Sequence, residues 1–290
     1  MTEFQAYTNA VEECWHKELN YCVQDYNISN KRCLVCFSSN GLYVTNTAAV
    51  FKEKIIKDER YEYKNVTNHK RVHNKFGRII FVRDVWKAWY ARGINEQEDS
   101  IDKLLIKLSE LTDGYQVVTV GNSAGGYMAV IAGIHLKAEK VLCFSGQFKL
   151  EMAWRKDILE KYKEDSGRSK YYDITELIKQ SDTQIIYFYP AKSEPDIQQA
   201  EKIKDYDNVI RFPFDYTTHA QTVAPYNYKF LFEISPERYR KISCMLHGRR
   251  VKATEFLIIT GKVSGLGDCL KGAFQLFKKS ILKKKIDLEL

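Results

Sequence analysis

"VVTVGNSAGGYMAVIAG", Val117–Gly133, is the stretch on which the fold turns. A run of β-branched residues leads into Gly-Asn-Ser-Ala-Gly, and an apolar segment of helical character follows at once. A strand that turns directly into a helix through such a sequence holds Ser123 on a tight turn, its hydroxyl clear of the sheet. Gly121 and Gly125 are what the turn requires, because a Cβ at either would strike the neighbouring strand or helix. Gly126 adds room for close packing of the helix. The backbone N–H of Ala124, at the helix N-terminus, then points to where an oxyanion would form. A crossover in which serine is merely small is the competing reading. The strand on one flank and the helix on the other favour a nucleophile.

Strand-like runs recur on both sides of this turn: "CLVCFSS", "RIIFVRD", "KVLCFSG", "TQIIYFYP" and "NVIRFPF". Between them lie helical segments. "EDSIDKLLIKLSEL" places Ile101, Leu104, Leu105 and Leu108 on one face and stops at Asp113-Gly114. Near-continuous apolar strands alternating with amphipathic helices predict an α/β fold, a doubly wound and mostly parallel sheet flanked by helices. Residues 1–234 are read as this domain, with the sheet running from about Tyr21 to Ile234. A candidate insertion or lid spans about 149–180, and residues 235–290 are read as a basic helical extension. The polar, basic stretch "KEKIIKDERYEYKNVTNHKRVHNKFG" is read as an excursion before the next strand.

A serine nucleophile needs a base. Of the six histidines, His16, His69 and His73 precede the serine, and His135 ends the elbow helix, too far along it to reach back. His247 lies in the basic run "RYRKISCMLHGRR", whereas His219 follows the strand "NVIRFPF" in a loop. His219 is the expected base. The acid is expected after "TQIIYFYP", where "AKSEPD" offers Glu194 and Asp196. Asp196 is preferred, because a carboxylate at the start of the following helix stays ionised. The loop after "CLVCF" is expected to give the second oxyanion donor, the N–H of Ser39, with Asn40 as the alternative. In "RDVWKAWY", Arg83 and Asp84 fall at the carboxyl end of a strand, where open α/β sheets place ligands. With Trp89, and the nearby Trp86 and Tyr90, they are candidate substrate contacts. The alternative is an Arg–Asp pair that fixes a loop over packed aromatics.

Taken together, the "GNSAGG" turn followed by an acid loop and a histidine loop, each after a later strand, resembles the α/β-hydrolase superfamily from about Arg32 to Phe232. More loosely, "IIFVRDVWKAWYARGI" with "VGNSAGGYMAVIAG" is similar to the α/β-hydrolase-like proteins of bacterial surface-polysaccharide gene clusters. That resemblance implies acyl chemistry on a glycan or glycolipid, as an esterase or an O-acyltransferase. A catalytically silent hydrolase fold acting as a membrane-peripheral adaptor in polysaccharide assembly is the alternative from another class.

At 290 residues the chain buries enough surface to need neither disulfides nor a metal for stability. The seven cysteines are odd in number and scattered, which favours reduced thiols in the cytoplasm. Cys33 and Cys36 form a C-x-x-C inside a strand, where residues three apart face opposite sides, so joint redox or metal work is not expected. No secretory leader opens the sequence, and no run of ~18 apolar residues exists to span a bilayer. Formal net charge is +8, concentrated in "DCLKGAFQLFKKSILKKKIDLEL". There Leu270, Phe274, Phe277 and Ile281 form one helical stripe flanked by lysines. Such a helix suits an anionic membrane surface, on the inner face of the membrane for a cytoplasmic protein, or simply docks on the domain. The tail lysines are not interleaved with aromatics, so no nucleic-acid partner is expected. No metal-ligand spacing and no phosphate loop are present, and no cofactor is expected. The expected partner of the serine is an acyl-bearing small molecule or glycan.

Overall fold

The computed structural model describes residues 2–26, 29, 31–152, 169–220, 222–223 and 228–289. Half of the expected insertion at about 149–180, residues 153–168, therefore lies outside the described residues. Seven strands form one sheet: β1 Tyr21–Asp25, β2 Arg32–Phe37, β3 Arg78–Val82, β4 Gln116–Asn122, β5 Lys140–Phe144, β6 Ile185–Pro190 and β7 Val209–Phe214. Their order is β1-β3-β2-β4-β5-β6-β7, with β1 antiparallel to β3 and every other pair parallel. The parallel strands are buried on both faces, which is why β2, β5 and β6 read as unbroken apolar runs. β1 was not among the expected strands. It is a short, half-exposed edge strand, "YCVQD", that touches only β3 and so carries little apolar signal.

Helices cover both faces. α1 (Glu3–Lys17) is capped by Thr2, whose side chain accepts the Gln5 N–H. α2 (Ile101–Thr112) is capped in the same way by Ser100, and it buries Ile101, Leu104, Leu105 and Leu108, the stripe read from the sequence. Past its end, Gly114 takes a φ of +73°, the left-handed conformation that stops a helix. α3 (Ala124–His135) is buried from Ala124 to Gly133, so it packs as a central helix and lacks a polar face. α4 (Glu194–Lys202) follows β6. Cys33 and Cys36 belong to the cores on opposite faces of the sheet. Burial pushes the Cys33 thiol up to about 12 and the Cys36 thiol well above its ordinary value.

Beyond residue 234 the chain continues as helices. α5 (Pro236–Leu246) and α6 (Ala253–Ser264) pack on the sheet itself, burying Tyr239, Ile242, Leu246 and Phe256 in the same core as Phe188 and Phe212. Val251 also bridges to Phe214 at the end of β7. The polar face of α5, with Arg238, Arg240 and Lys241, masked its core role in the sequence. The last helix, α7 (Gly267–Glu289), leaves Leu270, Phe274, Phe277 and Ile281 exposed.

Chain order reverses between β2 and β4: the chain leaves β2 for β3 on one side, then crosses to β4 on the other. The carboxyl ends of strands at such a reversal form a crevice. The loops after β2, β4, β6 and β7 all emerge at that edge.

Candidate active site

Ser123 stands between β4 and α3 with φ 53° and ψ −120°, a conformation that L-residues rarely hold. Its N–H donates to Phe144 O at 2.8 Å, which pins the turn to β5. Packing dictates the flanking glycines. A Cβ on Gly121 would fall on the backbone of Gly125, and one on Gly125 would fall on the carbonyl of Phe37. One on Gly126 would lie 3.0 Å from Phe144 O. With these positions free of side chains, the start of α3 lies directly against the end of β2. No hydrogen bond within the described residues occupies the N–H of Ala124.

Ser123, His219 and Asp196 lie in series. His219 Nε2 is 2.9 Å from Ser123 Oγ, and His219 Nδ1 is 3.0 Å from both oxygens of Asp196. With its proton on Nδ1, the ring donates to the carboxylate and can accept the serine hydroxyl proton through Nε2. Asp196 is in the first turn of α4, 2% exposed, and Ser193 Oγ donates to its Oδ2 at 2.5 Å. Glu194 points elsewhere: it is exposed and accepts from Gln198 Nε2 at 3.1 Å. Among the described residues, the geometry selects one acid and one histidine.

The second expected oxyanion donor is engaged. Ser39 N–H donates to Glu62 Oε2 at 3.0 Å, and Ser39 Oγ donates to Glu62 Oε1 at 2.7 Å. The Glu62 N–H in turn donates to Ser38 Oγ at 3.2 Å. Burial pushes the Glu62 carboxyl above the usual carboxylate range, against the pull of its two bonds from Ser39.

Arg83, Asp84 and Trp89 lie apart from this series and are buried, with their polar groups spent inside the protein. Asp84 accepts the backbone N–H groups of Trp86, Ala88 and Tyr90 at 3.0, 2.7 and 2.9 Å. These bonds hold a loop in which Lys87, Trp89 and Tyr90 all have positive φ. Burial raises the Asp84 carboxyl to about 6 despite those donors. Arg83 lies over the Tyr61 ring and donates to Asn20 Oδ1 at 2.9 Å, while Trp89 Nε1 donates to Gln147 Oε1 at 2.9 Å. Asp84 thus holds the loop after β3, while Arg83 and Trp89 are tied to Asn20 and Gln147.

A cleft of about 610 Å³ opens beside the turn, lined by Asn122 from β4, Tyr228, and residues 58–66. Glu62 lies on its wall. Two polar atoms at this cleft, Asn122 Oδ1 and Tyr63 Oη, are buried without a hydrogen-bond partner among the described residues. Sequence reasoning missed Glu62, Asn122 and Tyr63. The available signal was the length of the connection between β2 and β3, residues 38–77, which is far longer than such a connection needs. A larger cavity of about 1080 Å³ sits at the opposite edge, where Arg32, Gln116 and Lys140 begin β2, β4 and β5. It is remote from Ser123.

No family model matches the chain, and no curated protein does. Solved structures do. The capsule O-acetyltransferase of Neisseria meningitidis serogroup A superposes with a TM-score of 0.51 at 13% identity, over 74% of this chain and 91% of that one. MenH from S. aureus matches with a TM-score of 0.41 at 12% identity, over 83% and 99%. An α/β-hydrolase from a lagoon-sediment metagenome matches with a TM-score of 0.45 at 13% identity, over 76% and 94%. The mostly parallel seven-stranded sheet flanked by helices, with a strained serine between β4 and α3, is the α/β-hydrolase fold.

Proposed function

We propose that this chain is a serine-dependent acyl-ester enzyme, an esterase or O-acyltransferase, that works on a glycan or glycolipid. The observation that carries the reading is the 2.9 Å contact of Ser123 Oγ with His219 Nε2, backed by the 3.0 Å contacts of Nδ1 with Asp196. Ser123 Oγ attacks the acyl carbon as His219 removes its proton; Asp196 stabilises the resulting imidazolium. The carbonyl oxygen gathers negative charge in front of the Ala124 N–H and the N-terminus of α3. His219 then returns the proton to the departing oxygen or sulfur and leaves an acyl-serine. Water or a sugar hydroxyl attacks next, with His219 again as base, and Ser123 is released.

A second donor is available from Ser39 only when its N–H leaves the Glu62 carboxylate. The ground state is thereby held in a form with half an oxyanion hole. Glycan as substrate is supported by the cleft, where the rings of Tyr61, Tyr63 and Tyr228 suit a sugar face. The shared fold with a capsule O-acetyltransferase agrees with acyl transfer to such an acceptor.

Labelling with a fluorophosphonate tests the nucleophile. Ser123 should label in the folded protein, and Ser123→Ala should abolish both labelling and ester turnover. A folded protein that resists the probe would return the reading to a silent adaptor. Release of the donor's alcohol or thiol that requires an added glycan acceptor, with the acetyl group recovered on the glycan, would select transfer, and free acetate formed without acceptor would select hydrolysis.

A further inference from the structure

One face of α7 remains uncovered. Cys269 and Ala273 are buried against α6, beside Leu257 and Phe230, with Leu276 partly buried next to them. Leu270, Phe274, Phe277 and Ile281 are instead 41%, 59%, 58% and 45% exposed. Two adjacent phenylalanines more than half open to solvent are unfavourable in water, since their burial is among the larger apolar contributions a residue makes. At ~100° per residue, the four stripe positions fall within about 60° of one another, and Lys271 and Lys278 lie about 90° round on the side away from α6. The Lys278 ammonium also sits 4.9 Å from the Phe274 ring centroid. The sequence then adds Lys279, Lys283, Lys284 and Lys285. No helix among the described residues is long and apolar enough to cross a membrane.

We infer that α7 lies in the interface of an anionic lipid membrane, with Leu270, Phe274, Phe277 and Ile281 sunk among the acyl chains and the lysines against acidic headgroups. Charge complementarity decides the occupant. A second copy would set Lys271 and Lys278 against the same residues of its partner, where like charges repel. An acidic bilayer neutralises them and covers the phenylalanines together. The inference does not depend on the chemistry at Ser123, because α7 packs on α6 and lends no residue to the serine site.

Vesicle co-sedimentation of the full chain tests it. The protein should pellet with phosphatidylcholine vesicles containing about one-third phosphatidylserine and stay in solution with pure phosphatidylcholine. Raising salt from about 0.1 M to about 1 M, which shortens the screening length from ~10 Å to ~3 Å, should release much of it. Phe274→Ser/Phe277→Ser should weaken binding by about tenfold or more, and Lys278→Glu/Lys279→Glu should weaken it only on the acidic vesicles. Fluorophosphonate labelling of Ser123 should be unchanged in both variants, which separates a failure here from a failure of the enzyme reading. Wild-type protein that ignores acidic vesicles at low salt, or a phenylalanine variant that pellets as wild type, would overturn the inference. So would a dimer in sedimentation velocity that the phenylalanine variant dissolves, since a second copy would then cover the stripe.

Discussion

Glu62 is where the proposed mechanism is most exposed to test. Its carboxylate holds the Ser39 N–H at 3.0 Å and the Ser39 hydroxyl at 2.7 Å. If that N–H is to serve the oxyanion, a charge-assisted bond worth ~1.5–3 kcal/mol must be given up on the way to the transition state. Glu62→Gln keeps the shape but not the charge. Its amide oxygen accepts the N–H in a neutral bond of ~0.5–1.5 kcal/mol, and its amide N–H can donate to Ser39 Oγ. The difference is about 1–1.5 kcal/mol, so kcat on a chromogenic acetate ester should rise roughly five- to tenfold with little change in KM. Burial raises the Glu62 carboxyl above its usual range, so the wild-type side chain takes up its proton sooner than an exposed glutamate as pH falls. The advantage of the variant should therefore be greatest at neutral pH and above, and should shrink toward unity as pH falls through that raised value. Single-turnover acylation across pH reads both effects. A variant at or below the wild-type rate, with a ratio flat across pH, would show that Glu62 only braces the loop and that Ser39 is not a donor.

Further predictions concern the frame of the site. Asp196→Asn should lower kcat by ~10³–10⁴ with KM little changed, because the amide no longer fixes the His219 tautomer; Glu194→Gln, altered at an exposed position, should leave kcat as it was. Gly125→Ala drives a Cβ onto the carbonyl of Phe37, a backbone atom that cannot swing aside; the urea midpoint should fall by an equivalent of about 3 kcal/mol or more, and labelling of Ser123 should fall with it. Asp84, raised to about 6 from its ordinary 3.8, binds its proton more tightly folded than unfolded. It therefore withdraws ~3 kcal/mol of stability as pH rises from about 4 to about 6, and urea titrations of Asp84→Asn should lack that decline.

How far the sequence could be read follows from the range of the forces involved. Six of the seven strands and the serine turn were legible because their signals are local: β-branched runs for strands buried on both faces, and glycines where a Cβ would meet backbone. The acid and the histidine were legible because topology brings the carboxyl ends of parallel strands to one edge, so that a residue just after β6 and one just after β7 must converge there. Glu194 and Asp196 both lie in the first turn of α4, about 200° apart around the helix, so a place at the helix N-terminus does not separate them and only the fold decides which one faces His219. What escaped was set by partners remote in sequence. "RDVWKAWY" offered charges and flat rings at the proper edge, but whether Asp84 meets solvent or three backbone N–H groups depends on positive φ angles that ordinary residues such as Lys87 and Trp89 do not announce. Glu62 lay in a stretch so polar that its charge looked solvated. Its hydrogen-bond partner Ser39 and its cleft neighbour Tyr228 both lie elsewhere in the chain. The same polarity hid α5, whose Tyr239 joins Phe256 of α6 in a core begun by Phe188 and Phe212. A charged surface says that a helix faces water on one side; it is silent on how much of the domain its other side closes. The stripe on α7 reverses that case, since its apolar residues read in the sequence as a face seeking cover and the fold supplies cover only to the neighbouring face, that of Cys269 and Ala273.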